Sequence, residues 1–92
     1  MSKNKFQNTR YKTLDKCFRN SHRKYFMEDL IEVCNRDLEY FHGELKGIQR
    51  RQVFNDIQYM KSESGYSIEL EKIREGKKIY YNYGLYVRFL KK

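Results

Sequence analysis

The spacing of apolar residues changes once along this chain, at Ser64 and Gly65, and that change restricts the fold more than any other feature. Ahead of it the apolar residues recur at helical spacing, and behind it they alternate. Three stretches carry the helical period. Tyr11, Leu14 and Phe18 fall at i, i+3 and i+7, which predicts a first helix over about Thr9 to Arg19. Met27, Leu30, Ile31, Cys34, Leu38 and Phe41 predict a second helix over about Glu28 to Phe41. Glu28 and Asp29 occupy its first turn, where the helix dipole favours anions, and Gly43 suits a left-handed residue just past its end. Val53, Ile57 and Met60 fall at i, i+4 and i+7 and predict a third helix over about Gln49 to Ser62, with Gly47 providing a tight turn before it.

Behind Gly65, Tyr66, Ile68 and Leu70 alternate with Ser67, Glu69 and Glu71, the pattern of a half-buried strand. Arg74 to Lys77, with Gly76, reads as a turn, and Lys78 to Tyr83 as a second strand rich in aromatic and β-branched residues. Arg23 to Phe26 fits a very short extended segment, and the polar Asn20, Ser21 and His22 a turn. The order is helix, short segment, helix, turn, helix, hairpin. Three helices around one core with a two-stranded ribbon make an α+β winged helix-turn-helix. The expected layout is a basic arm over residues 1–7, the winged domain over 8–84, and an apolar and basic tail over 85–92.

Ninety-two residues suit one domain with a modest core. That leaves little room for an enclosed catalytic cavity. The net charge of +8 is segregated. Residues 1–25 carry eight Lys/Arg against Asp15, and residues 46–62 carry four against Asp56. Residues 26–45 reverse the sign, with six acids against Arg36, so the second helix is not expected to lie on a phosphate backbone. Separated positive charge on a small domain favours a polyanionic partner. No apolar run is long enough for a membrane span, and the polar, basic N-terminus lacks the apolar core of a signal peptide. Cys17 and Cys34 form no C-x-x-C pair and fall near apolar stripes, so two small buried thiols in a reducing compartment are expected.

The outer face of the third helix is the candidate site. Arg51, Asn55, Gln58 and Ser62 point away from its apolar stripe, and no carboxylate stands among them. Arg51 suits bidentate reading of guanine, which discriminates by roughly 1–3 kcal/mol, and Asn55 suits adenine. Arg50 lies to the flank and fits a phosphate. Lys46, Gln58 and, on the wing, Arg74, Lys77 and Lys78 join it as expected phosphate contacts. The wing lysines have a plainer use as protectors of an edge strand. Tyr80, Tyr81 and Tyr83 either stack on bases or simply pack one strand face on the core. The sequence contains no nucleophile–base pair, Gly-rich phosphate loop or HExxH, so no enzyme is expected. Glu69 and Glu71 share one exposed strand face. His22 and His42 have no ligand set around them, so neither metal nor cofactor is expected, and both read as turn residues.

The segments RYKTLDKCFRN (10–20), KYFMEDLIEVCN (24–35), Gln49 to Met60 and KIYYNY (78–83) resemble the N-terminal winged helix-turn-helix of bacterial WYL-domain transcriptional regulators, a DeoR-type DNA-binding module. The resemblance covers roughly residues 8–83. Its most specific part is Arg50, Arg51 and Val53 followed by Asp56 and Ile57. It implies a DNA-reading role for Gln49, Arg51, Gln52 and Asn55, and an intramolecular role for Asp56. Where such regulators carry small hydroxyl residues at the starts of both helices of the motif, this chain has Phe26, Gln49 and Gln52. A missing Ser or Thr cap costs about 1 kcal/mol. Phe54 is large and apolar at a position that is often polar. The ligand-sensing WYL domain has no counterpart before Lys92, so effector binding does not carry over.

The expected function is sequence-specific binding of double-stranded DNA by a cytoplasmic, nucleoid-associated bacterial regulator, with the third helix in the major groove and the 66–83 hairpin as wing. Leu85 to Leu90 offer a homodimer contact or a docking site for a further domain. The alternative is a winged-helix protein-interaction module without nucleic acid, anchored by Phe54 and Tyr59. A third reading is single-strand or RNA binding through the tyrosine strand.

Overall fold

Helical periodicity becomes helix wherever a buried stripe can be covered, and all three expected helices form. A computed structural model describes residues 2–20, 22–43 and 47–83. Helices α1 (Ser2–Arg19), α2 (Met27–His42) and α3 (Arg50–Lys61) are joined by strands β1 (Tyr25–Phe26), β2 (Leu70–Glu75) and β3 (Lys78–Tyr83). α1 starts at Ser2, seven residues ahead of the start read from its stripe, and takes in the segment read as an arm. That segment is polar, so periodicity alone could not register it.

α2 ends as expected. Gly43 adopts φ 70°, and its N–H donates to the Glu39 carbonyl at 2.9 Å. Its start substitutes for the missing hydroxyl cap: the Asp29 carboxylate reaches back to accept from the Phe26 backbone N–H at 3.0 Å. Met27, Leu30, Cys34 and Leu38 are buried. Phe41, the last residue of that stripe, is instead 60 % exposed. The helix outruns the core there, and the ring borders a groove with Thr9, Lys12 and Thr13 of α1.

The hairpin departs from its sequence reading in two ways. Its first strand begins at Leu70, not Tyr66. The stretch before it folds back over the end of α3: Ser67 takes φ 52°, and the Ile68 N–H donates to the Met60 carbonyl at 3.0 Å. Tyr66 and Ile68 alternate because one joins a surface tyrosine cluster and the other packs on the core, which mimics a strand. Gly65 lies so close to the end of α3 that a Cβ there would overlap the Tyr59 carbonyl. The turn is also tighter than read. Glu75 pairs with Lys78, leaving Gly76 (φ 63°) and Lys77 at the tip, so Arg74 is a strand residue opposite Ile79.

The wing is not a lone ribbon. β1 pairs antiparallel with β3, Tyr25 opposite Tyr81 and Phe26 opposite Tyr80, which gives a three-stranded sheet in the order β1-β3-β2. A two-residue strand has too little periodicity to announce its partner. Pairing puts Leu70, Ile79, Tyr81 and Tyr83 on one face, which packs against Leu14, Phe18 and Met60. Tyr83 also donates to Asp15 Oδ1 of α1 at 2.5 Å, and burial pushes its phenol pKa upward. With Tyr81 at 9 % and Tyr83 at 4 % exposure, neither ring is available to stack on bases. Their role is core packing.

Cys17 and Cys34 are buried free thiols, as expected. Burial raises them from 9.0 to about 11 and about 12. Because the folded values lie above the ordinary one, the folded state holds these protons longer than the unfolded chain does. Their contribution to stability is therefore complete below about pH 9 and is lost as pH rises through 11 and 12. At pH 8 a thiol reagent is expected to leave both unmodified in the native protein and to modify both in denaturant. Fast labelling without denaturant would contradict this burial.

Candidate nucleic-acid interface

The link between α2 and α3 fixes how α3 is presented. Gly47 turns the chain at φ 64°. Asn35 of α2 then clamps the next residue, accepting from the Ile48 N–H at 2.8 Å and donating to the Ile48 carbonyl at 3.2 Å. This clamp escaped the sequence reading, because an Asn in a helix beside the stripe has no local signature. Gln49 caps α3 through its backbone carbonyl, which accepts from Gln52 and Val53, while its side chain makes no cap and stands exposed.

α3 divides cleanly into two faces. Val53, Asp56, Ile57 and Met60 are buried, and Arg50, Arg51, Asn55 and Gln58 are exposed together with Phe54. Asp56 is the single carboxylate among the twelve residues of α3, and it is 2 % exposed. Arg10 of α1, itself 7 % exposed, meets it with two donors: Nε at 2.6 Å from Oδ2 and Nη2 at 3.2 Å from Oδ1. The same Oδ1 accepts from Gln52 Nε2 at 3.0 Å. Asp56 therefore has the intramolecular role implied by the resemblance. Its partner Arg10 was missed, although the signal existed: each is a lone charge inside an otherwise apolar stripe, and opposite charges there need each other. Gln52 sits differently from its neighbours. It is half-buried and turned toward Asp56 rather than standing fully outward like Arg51 and Asn55.

The expected phosphate residues are partly gathered. Arg50, Lys77 and Lys78 border one recess with Phe26, Met27 and Glu28, so the starts of α2 and α3 meet the wing tip. Lys78 Nζ lies 3.5 Å from Glu28 Oε1 and 5.5 Å from the centre of the Phe26 ring. Both partners of that ion pair are largely exposed, so it contributes little to stability. Glu28 was not anticipated at this place. Arg74, on the core-facing side of the hairpin, and Gln58, further along α3, are exposed but do not line the recess. Lys46 and the tail at 85–90 lie outside the described residues.

On the flank of α3, Tyr11, Tyr59 and Tyr66 form a cluster, with Tyr11 and Tyr59 stacked at 5.3 Å. His42 is the last residue of α2 rather than a turn residue, hydrogen-bonded to Thr9 Oγ1 at 2.7 Å. Among the described residues no group of three or more His, Cys, Asp or Glu is arranged to hold a metal ion. No helix among them is long and apolar enough to cross a membrane.

Comparison with known families places this arrangement. Residues 7–84 match the family described as the N-terminal winged helix domain of WYL domain-containing proteins. No curated protein and no solved structure matches the chain.

Proposed function

We infer a DNA-binding function from one premise: this chain belongs to the N-terminal winged helix domains of WYL domain-containing proteins. It is proposed to bind double-stranded DNA sequence-specifically as the DNA-binding part of a bacterial, cytoplasmic regulator acting at the nucleoid. The observation that carries this reading is the fate of the α3 carboxylate. Asp56 is turned into the core and neutralised by Arg10, so the outer face keeps only cationic, amide and aromatic groups. A helix of twelve residues spans about 18 Å and is about 10–12 Å across, which suits the major groove.

On this reading Gln49, Arg51, Gln52 and Asn55 meet base edges, and Phe54 fits a thymine methyl. Arg50 and Gln58, with Lys46, Arg74, Lys77 and Lys78, meet phosphates. Affinity then comes mainly from phosphate neutralisation and falls steeply with salt. Selection from a random duplex pool at two salt concentrations tests this. An enriched motif that weakens with salt is expected, and absence of binding even at low salt would refute it.

Glu28 supplies a second test. Its carboxylate stands beside Lys78 in the recess where a phosphate would lie. Glu28→Gln is expected to tighten DNA binding by about threefold to tenfold, because it removes repulsion and releases a cation for the backbone. Unchanged affinity would take the recess out of the interface.

The protein-interaction alternative is favoured by one observation, the exposure of Phe54 and Tyr59 at 49 % and 41 %. It predicts that Phe54→Ala abolishes partner binding in a chain with no affinity for DNA.

A further inference from the structure

We propose that Arg10, buried and remote from any ligand, sets base specificity by fixing the carboxamide of Gln52; this deepens, and rests on, the DNA-reading role of α3. The three residues form one chain of hydrogen bonds from α1 to the rim of the interface. Arg10 grips Asp56 through Nε and Nη2, at 2.6 and 3.2 Å, so the carboxylate cannot swing. Oδ1 of the gripped carboxylate then accepts from Gln52 Nε2 at 3.0 Å.

The consequence is an amide with a set direction. Turned over, it would bring Oε1 against Oδ1, two acceptors face to face, which the low dielectric beside a buried carboxylate penalises. Held as it is, Gln52 commits one Nε2 hydrogen inward and keeps the second hydrogen and Oε1 for a ligand. One donor and one acceptor on a carboxamide is the pair that reads the N7 and N6 edge of adenine in the major groove. Gln52 borders an open cleft with Gln7, Asn8, Asn55 and Tyr59, so those two groups have somewhere to point. Arg10 is thus a positioning residue, and Gln52 the one that touches the base.

The test compares motifs selected from a random duplex pool by the full chain, by Gln52→Ala and by the double variant Arg10→Met/Asp56→Met. The apolar pair replaces the buried ions without leaving either one unpartnered. The wild type is expected to prefer adenine at one position by about tenfold or more. Gln52→Ala should flatten that position, and the double variant should flatten the same position to within about twofold while the others keep their preference. Retention of the adenine preference in the double variant overturns the proposal. Equal relaxation at every position also overturns it, since that is the signature of a merely structural pair. A wild type with no enriched motif refutes the DNA reading itself, and so is told apart from these. If the double variant does not fold, side-chain amide exchange in the wild type decides. The inward Gln52 Nε2 hydrogen is expected to exchange at least about tenfold more slowly than those of the exposed Gln49 and Gln58, and equal rates overturn the proposal.

Discussion

Asp56→Ala is expected to destabilise the domain by about 3–5 kcal/mol, the cost of removing one partner from a buried ion pair. The deletion leaves the Arg10 guanidinium in a site 7 % exposed, with its two close acceptors gone. It also releases Gln52 Nε2. A domain of this size holds only about 5–15 kcal/mol in total, so the variant sits near the edge of folding. Arg10→Ala should cost a similar amount for the mirror-image reason, with Asp56 stranded at 2 % exposure. Urea unfolding followed by circular dichroism reads both. Arg10→Met/Asp56→Met should recover most of the loss, because no charge is left behind and the volume is filled with apolar atoms. The exposed pairs provide the contrast. Removing Lys24, which meets Glu75 at 2.5 Å with both side chains half in water, is expected to leave stability nearly unchanged. If Asp56→Ala cost no more than that, the buried pair would not be what ties α3 to α1.

The same pair shows where sequence reading reaches and where it stops. α2, α3 and β3 were legible to within about one residue because each carries its own period, and a buried stripe on three neighbouring helices leaves few ways to pack. The outer face of α3 followed from that stripe. The contacts that orient α3 did not. Arg10 and Asp56 are 46 residues apart, and Asn35 reaches Ile48 across 13. Neither pairing leaves a local mark beyond a polar residue on a buried face. β1 was legible as a short extended segment within Arg23 to Phe26, but two residues, Tyr25 and Phe26, are too few to show which strand they pair with, and only β3 gives them a partner. Tyr66 and Ile68 show that alternation is not a strand when a turn at Ser67 sends neighbouring residues to different neighbours. Glu28 could be assigned to the first turn of α2 from sequence, but its place beside Lys78 depends on where the wing folds.

Arg51→Glu is expected to weaken specific DNA binding by about 100-fold or more while leaving the fold intact. Arg51 is exposed, the second residue of α3, and stands outside the buried set of Val53, Asp56, Ile57 and Met60. Losing a bidentate guanine contact alone removes roughly 1–3 kcal/mol of discrimination. Reversing the charge then sets a carboxylate on a face that otherwise has none, opposite a polyanion, and no rearrangement within α3 offers it a buried partner like Arg10. The helix start adds an opposing effect: an acid in the first turn is mildly favourable, by about 0.3–1 kcal/mol, so stability should hold or rise slightly. Binding and stability are therefore predicted to move in opposite directions, which separates loss of recognition from loss of structure. Titration of a selected duplex, with thermal unfolding of the same preparations, measures both. Undiminished affinity in a folded Arg51→Glu variant would remove α3 as the reading element, and the exposed Phe54 beside it would then mark a protein surface instead.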